Sequence, residues 1–313
     1  MSTLNYVIKR ILQIVPVMII VTVLIFFMIR LIPGDPVTVL LGDKATPEMV
    51  KLLTIKMGLD KPIYIQYLLF MKGLLTFDLG NSLHYKIPVS ELISKRFVIT
   101  IVLTFFTVIF SVIISFFTGY TAGLKKDKLP DQIIRMGALV ALSMPQFWVG
   151  LILLIAFAVK ISIFPVGGWG STWPEHIRAV ILPAFTQSLM TAALLARNLR
   201  NGVVDTLKMD FVDFARSKGL DDSSIKRDHI IRNALISYIT LLSMRMAYML
   251  GGSIIIETVF ALPGIGALMI ESIYSRDYAV IQAVVIIFAA IVITVNILTD
   301  IAYSFLDPRV TLE

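Results

Sequence analysis

The residues able to do chemistry in this 313-residue chain are few, and their spacing argues against bond-making. Cysteine is absent, so there is no thiol nucleophile, no disulfide and no sulfur ligand for a metal. The three histidines, His84, His176 and His229, stand too far apart in sequence to form a ligand pair at helical spacing. No His-Glu-x-x-His run occurs, and no Gly-x-x-x-x-Gly-Lys-Ser/Thr loop that would cradle phosphates. No catalytic residue and no metal site is expected. Two features remain. Arg245 lies alone in a long apolar run, and a polar, helix-prone stretch, 210–220 followed by 229–234, has apolar runs on both sides.

The elements that must position these residues are membrane helices. Hydrophobic residues make up 57% of the chain and charged residues 16%, against about 25% in soluble domains. Mean hydropathy is +0.86. The net charge of +7 would point to nucleic acid in a soluble protein. Here Lys and Arg collect in short loops, where they set orientation in a bilayer, so nucleic acid is excluded as a partner and membrane lipid is expected.

Six segments have the roughly 20 mostly apolar residues that a spanning helix needs: about 11–29, 98–121, 135–159, 179–199, 234–257 and 280–305. The fourth is semi-polar, with Thr186, Gln187, Ser188 and Thr191 facing other helices or a pathway. Eight basic residues lie between Arg197 and Arg232, and Lys125, Lys126 and Lys128 lie between the second and third spans. The opposite loops, about 160–178 and 258–279, carry only Lys160, Arg178 and Arg276. Both termini are therefore expected in the cytoplasm and segment 30–97 outside. The first span has no small-x-small cleavage pattern and is read as an uncleaved anchor ending at Pro33-Gly34.

The outer segment is too long for an empty connection. Thr46-Pro47-Glu48 starts a helix, Gly58 to Pro62 stops it, Ile63 to Leu75 is helical, and 77–82 is a turn. The division read from the sequence is an anchor over 1–30, an outer helical subdomain over 31–97, a five-helix core over 98–305 and a tail over 306–313. Within the core, Asp205 to Lys218 reads as an amphipathic helix ended by Gly219. Asp221-Asp222-Ser223-Ser224 caps a second helix over 225–233. The alternative is a solvated basic loop.

Asp213, Ala215 and Gly219 resemble the "EAA" coupling loop of ABC-importer permeases. The wider run, through His229 and Arg232 to Ala234, is similar to the peptide/nickel branch of that family. So are Arg-Leu-Ile-Pro-Gly-Asp-Pro (30–36), Gly-Leu-Asp-Lys-Pro (58–62), Asp-Leu-Gly-Asn-Ser (78–82), Ser-Met-Pro-Gln-Phe-Trp (143–148), 257–266, Arg-Asp-Tyr (276–278) and Leu-Asp-Pro-Arg (306–309). Two positions depart from the pattern: Ser237 and Leu262 stand where many relatives have Pro and Trp.

The resemblance implies an all-helical permease subunit of the bacterial cytoplasmic membrane. Its partners would be a second homologous permease, two ABC ATPases and an extracytoplasmic substrate-binding protein. ATP and Mg would be bound by the ATPases, and this chain would need no cofactor. Asp213, Ala215, Gly219, His229 and Arg232 would form the ATPase-coupling surface. Cargo would be peptides, nickel or metal chelates; Arg245 and the short 160–178 loop lean slightly to nickel or chelates. The rival is a self-sufficient secondary carrier, which would show repeated halves with broken helices.

The remaining candidates each carry two readings. Arg245, about eleven residues into its span, costs at least about 2.5 kcal/mol at mid-bilayer unless paired or wet. It either pairs with Asp300 or faces the path and attracts a substrate carboxylate. Gly251 and Gly252 either allow close helix packing or flex beside an outer gate. Glu257 is an interfacial or salt-bridged group, or part of that gate, with Pro263 and Gly264 making its turn.

Overall fold

The computed structural model describes the backbone of residues 3–31, 37, 41, 45–56 and 58–306, and the side chains of these except 3–13, 56, 247, 250, 252 and 298–306. Residues 33–36 of the expected first turn and 307–313 of the tail lie outside them. In chain order the helices are α1 (Thr3–Leu31), α2 (Pro47–Lys56), α3 (Ile63–Leu75), α4 (Val89–Leu124), α5 (Leu129–Ser143) and α6 (Gln146–Leu153). The last continues as π-helical turns over Leu154–Lys160. Then come α7 (Trp173–Thr206), α8 (Asp210–Ser217) and α9 (Asp222–Ser224), which runs through a π-helical segment, Ile225–Ile231, into α10 (Arg232–Val259). The helices α11 (Ile265–Tyr274) and α12 (Tyr278–Leu306) complete the order. Among the described residues the strand-like pairing is one isolated bridge, Asn81 to Pro88.

Four helices are long and apolar enough to cross a membrane among the described residues: α1, α4, α7 and α12. The expected fifth span is present as α10, whose 28 residues reach about 42 Å at 1.5 Å per residue. The expected third span is not one rod. It is broken into α5 and the α6 run, bent by 103°. The cause is Pro145: it has no N–H for the ladder and drives Met144 into an extended conformation (φ −88°, ψ 132°).

The chain divides into two compact units. The first comprises 1–98 and 264–293. Here α3 lies on α1 through Phe26, whose ring meets Tyr67 at 5.2 Å and Phe70 at 5.8 Å. Arg30 donates to Gln66 Oε1 at 2.6 Å and stacks on Phe26. The buried carboxylate of Asp277 accepts from Ser82 Oγ at 2.5 Å and from the His84 N–H at 3.1 Å. That pairing fixes the turn after residue 77.

The second unit comprises 99–263 and 294–313. Its core is α7 and α10 with the later part of α4 against them. Close approach comes from glycine. A Cβ at Gly119 would lie 2.6 Å from the Ala196 carbonyl oxygen, and one at Gly123 would lie 2.6 Å from Val203 Cβ. Along the same face of α4, Thr100, Thr107, Ser111 and Ser115 are all buried. Each hydroxyl has a partner, the longest being Ser111 Oγ to Ser188 O at 3.5 Å, so the face can pack in an apolar setting without an unmet donor. Ser115 Oγ and Tyr238 Oη lie 2.7 Å apart, tying α4 to α10.

Candidate coupling and gating sites

The polar stretch 205–233 forms two helices joined by a glycine turn, at shifted boundaries. The helix expected over 205–218 is α8, beginning only at Asp210; residues 205–206 are the end of α7, and 207–209 form the turn. The helix expected to stop at 233 does not stop. It runs on into α10, and His229 lies in its π-helical part.

The end of α8 is set by Gly219. Its φ is +79°, a conformation glycine adopts without cost. The Gly219 N–H donates to Arg216 O at 2.9 Å and the Leu220 N–H to Ala215 O at 3.3 Å. This pair of bonds is the Schellman closure of a helix. Two residues later Asp221 accepts from the N–H groups of Ser223 and Ser224, each at 3.1 Å, and caps the next helix. The Ser223 and Ser224 side chains first, and these N–H groups after them, hold the Asp221 carboxyl well below the usual carboxylate range.

The two faces of α8 differ. Val212 and Ala215 are buried in a cluster with Leu195, Leu199, Ile230 and Tyr238. The opposite face leaves Phe214 61% exposed and Leu220 46% exposed, with Lys218 Nζ 4.5 Å from the Phe214 ring centroid. Asp213 is exposed and pairs with Arg216 at 3.3 Å. Ala215 therefore packs inward, Asp213 points outward, and Gly219 makes the stop. The ring of His229 lies 6.2 Å from Phe211, which puts it beside α8. Arg232 begins α10 and is exposed. The helix thus sits on a rigid base and presents an aromatic and charged outer face.

Sequence reasoning missed the strongest ion pair near this base. Arg200, near the end of α7, holds the fully buried Asp131 of α5 by two 2.6 Å bonds. The Asp127 N–H adds a third bond to the same carboxylate at 2.9 Å.

Around 257–264 the candidate residues separate. Glu257 is fully buried and accepts from Thr100 Oγ1 at 2.6 Å. It is not the solvated interfacial group that its place at a helix end suggests. Leu262 donates to Glu257 O at 2.8 Å, which closes the turn after α10 with Ala261 at φ +48°. The Gly168 N–H donates to Ala261 O at 3.2 Å, so the 163–170 loop is fastened to that turn. Pro263 follows the buried Leu262, and Gly264 is the extended residue before α11 (φ −87°). Gly251 is exposed, and a Cβ there would meet nothing within 4 Å, so close packing is not its role in this structure. Gly252 is helical.

Arg245 is half-buried in α10, its guanidinium 5.8 Å from the Tyr248 ring centroid. The expected partner Asp300 has its side chain outside the described residues. Of the polar residues of the fourth span, Thr186, Gln187 and Ser188 are buried, and Gln187 donates to Met249 O at 2.7 Å. His176 stacks on Trp169 at 4.2 Å. Among the described residues no group of three His, Asp or Glu is placed to hold a metal.

Residues 114–312 match the model of the binding-protein-dependent transport system inner membrane component, and 3–104 match the N-terminal model of the same system. The glutathione transport system permease protein GsiC of Salmonella choleraesuis is 34% identical over 307 residues, covering 98% of this chain and 99% of that protein. A putative peptide transport system permease protein of Brucella suis is also 34% identical, over 97% of this chain and 98% of its own length. Among solved structures, an amino acid ABC transporter with histidines aligns at TM-score 0.54 and 19% identity, over 69% of this chain and 94% of its own. The MetNI methionine ABC transporter, in an inward-facing form, aligns at TM-score 0.56 and 15% identity, over 70% and 97%. These two speak for the fold alone. The chain belongs to the family of binding-protein-dependent transport system inner membrane components: it is a permease subunit of an ABC importer, and the ATPase is a separate subunit.

Proposed function

We propose that this permease forms one half of a pathway for a small peptide or peptide-like carboxylate, driven by ATPases that grip α8. The observation that carries the coupling assignment is the two-faced α8. Its inner side is buried on α7 and α10, and its outer side exposes Phe214 and Leu220 beyond a Gly219 stop. A helix so based moves as one body with the helices beneath it. In this reading Asp213, Arg216 and His229 rim the contact with the ATPase, Ala215 seats the helix, and Arg232 passes its motion to α10.

The positive-inside pattern supports both termini and α8 on the cytoplasmic side, with segment 31–97 outside, where a substrate-binding protein would dock. A second, related permease would complete the pathway. The core over 98–305 and the outer subdomain over 31–97 are the proposed working parts. Pro263 and Gly264, with Glu257, are proposed as the outer gate. Gly251 and Gly252 would be its compliant point, since Gly251 has open space around it.

The names of the relatives favour peptide cargo over the nickel or metal-chelate cargo toward which the sequence leans. Arg245 supports an anionic group on that cargo, because a half-buried cation in a membrane helix attracts a carboxylate strongly.

A pull-down from detergent tests the coupling assignment. Tagged wild type should retain an ABC ATPase, and Gly219→Asp should lose it while keeping the second permease. Retention of the ATPase by Gly219→Asp would move the contact elsewhere.

A further inference from the structure

We infer that the groove between α4, α5 and α7 is a binding site for an anionic phospholipid, holding its phosphate and the upper part of one acyl chain. The groove measures about 430 Å³. Its lining is amphipathic. Ala122, Ala138, Leu142 and Ala196 give an apolar floor, and Arg135, Arg197 and Arg200 stand with them.

The charges are gathered at one end. The bond between Asp131 and Arg200 ties the start of α5 to the last turns of α7. Arg135 is one turn beyond Asp131, and Arg197 is one turn before Arg200, so all three arginines share that end. Leu142 lies two further turns along α5, at the apolar end.

Only one of the three cations is spent. Arg200 is neutralised by Asp131. Arg135 and Arg197 are exposed, and among the described residues neither makes an ion pair within 4 Å; Arg135 acts on the Asp131 carboxylate only from a distance and behind its pair with Arg200. Two free cations at the head of a hydrocarbon-lined slot complement a phosphodiester joined to an acyl chain. A peptide would leave the floor in contact with water. A second protein helix would have to bring two acids or bury two bare arginines. The site lies beside the anionic inner leaflet, on the sidedness proposed above, but the charge pattern does not depend on that placement.

The test uses the full complex in phosphatidylcholine nanodiscs with trace spin-labelled phosphatidylglycerol or spin-labelled phosphatidylcholine. The wild type should select the anionic lipid. Each free arginine should contribute about fivefold, so Arg135→Gln/Arg197→Gln should bring the preference close to unity. Arg135→Lys/Arg197→Lys should keep most of it. Ala138→Trp, which fills the floor and leaves both charges, should also abolish it. Lys125→Gln/Lys128→Gln, on the adjoining loop, should change it by less than twofold. Three results would overturn the site: unchanged selectivity in the double Gln variant, equal loss in the lysine control, or full selectivity in Ala138→Trp. So would a double Gln variant that keeps its lipid preference but takes up peptide with a raised KM, which would assign the groove to cargo. None of the lipid readings requires transport, so they stand apart from the coupling assignment.

Discussion

Arg200 of α7 grips Asp131 of α5 through both carboxylate oxygens, and the acid is completely buried while the arginine is 14% exposed. This pair fastens the first half of the broken third span to the helix that leads into α8. Removing one partner strands the other charge in a buried place, at a cost of about 3–5 kcal/mol. Asp131→Ala should therefore lower the thermal midpoint of the detergent-solubilised complex sharply. Asp131→Ala/Arg200→Leu should recover much of the loss, because no bare charge remains. An equal loss in the single and double variants would mean that the pair acts through something other than its charge.

Gly219 is required for its backbone and not for space. Its φ is +79°, and a Cβ there would meet nothing within 4 Å. A non-glycine residue in this conformation pays about 1–2 kcal/mol, less for Asn. ATPase retention should therefore fall in the order Gly, Asn, Ala, Val. If Gly219→Val retained as much ATPase as Gly219→Asn, the geometry of the stop would not matter.

Gly119 and Gly123 both allow α4 to approach α7, but the obstacles differ. A Cβ at Gly123 meets the Val203 side chain, whereas one at Gly119 meets the Ala196 backbone at 2.6 and 2.9 Å. Gly123→Ala should destabilise the complex by about 1–3 kcal/mol; adding Val203→Gly, which removes the Cβ and Cγ1 in the way, should recover part of the loss, whereas adding Val203→Ala, which keeps the Cβ at 2.6 Å, should not. No side-chain truncation should rescue Gly119→Ala. The check is the melting temperature of the four variants side by side.

Much of this was legible from residue order, and the failures have physical causes. The bounds of α3 coincide with the apolar stretch 63–75, and the Gly219 stop and Asp221 cap fall where local chemistry puts them. Local signals suffice when the partners lie within a few residues. The break at Pro145 had its signal in Met144-Pro145, but the apolar run on both sides outweighed it. Asp131 and Arg200 lie 69 positions apart, and no single-sequence pattern joins them. Of the readings open for Glu257, only solvation at the interface is ruled out by its burial, which rests on Thr100 of another helix and could not be seen in residue order. The small size of Gly251 implied a close neighbour that the structure does not supply.

The Asp221 cap carries a pH dependence with a definite sign. Its carboxyl is held well below the ordinary range by the hydroxyls and N–H groups of Ser223 and Ser224. A depressed folded-state pKa means that the stabilisation is complete above about pH 4, the unfolded value, and is lost as pH falls below it. Amide protection at 222–225, taken relative to Asp221→Asn at each pH, should decline on acidification. A flat ratio down to pH 3 would remove the charged cap from the account.

Arg245 is proposed to meet a cargo carboxylate. Arg245→Gln should raise the KM for peptide uptake by roughly tenfold or more, the scale of one charged hydrogen bond. It should leave complex assembly intact, and Arg245→Lys should fall between. Unchanged uptake in an intact Arg245→Gln complex would return Arg245 to a structural role.

The central claim is that this chain moves cargo only when a separate ATPase moves α8. Vesicles containing the purified complex, loaded inside with ATP and given peptide-charged binding protein outside, test it most directly. The account predicts accumulation that requires ATP and is abolished by Gly219→Val. Uptake driven by a proton or sodium gradient without ATP, and indifferent to Gly219→Val, would contradict it.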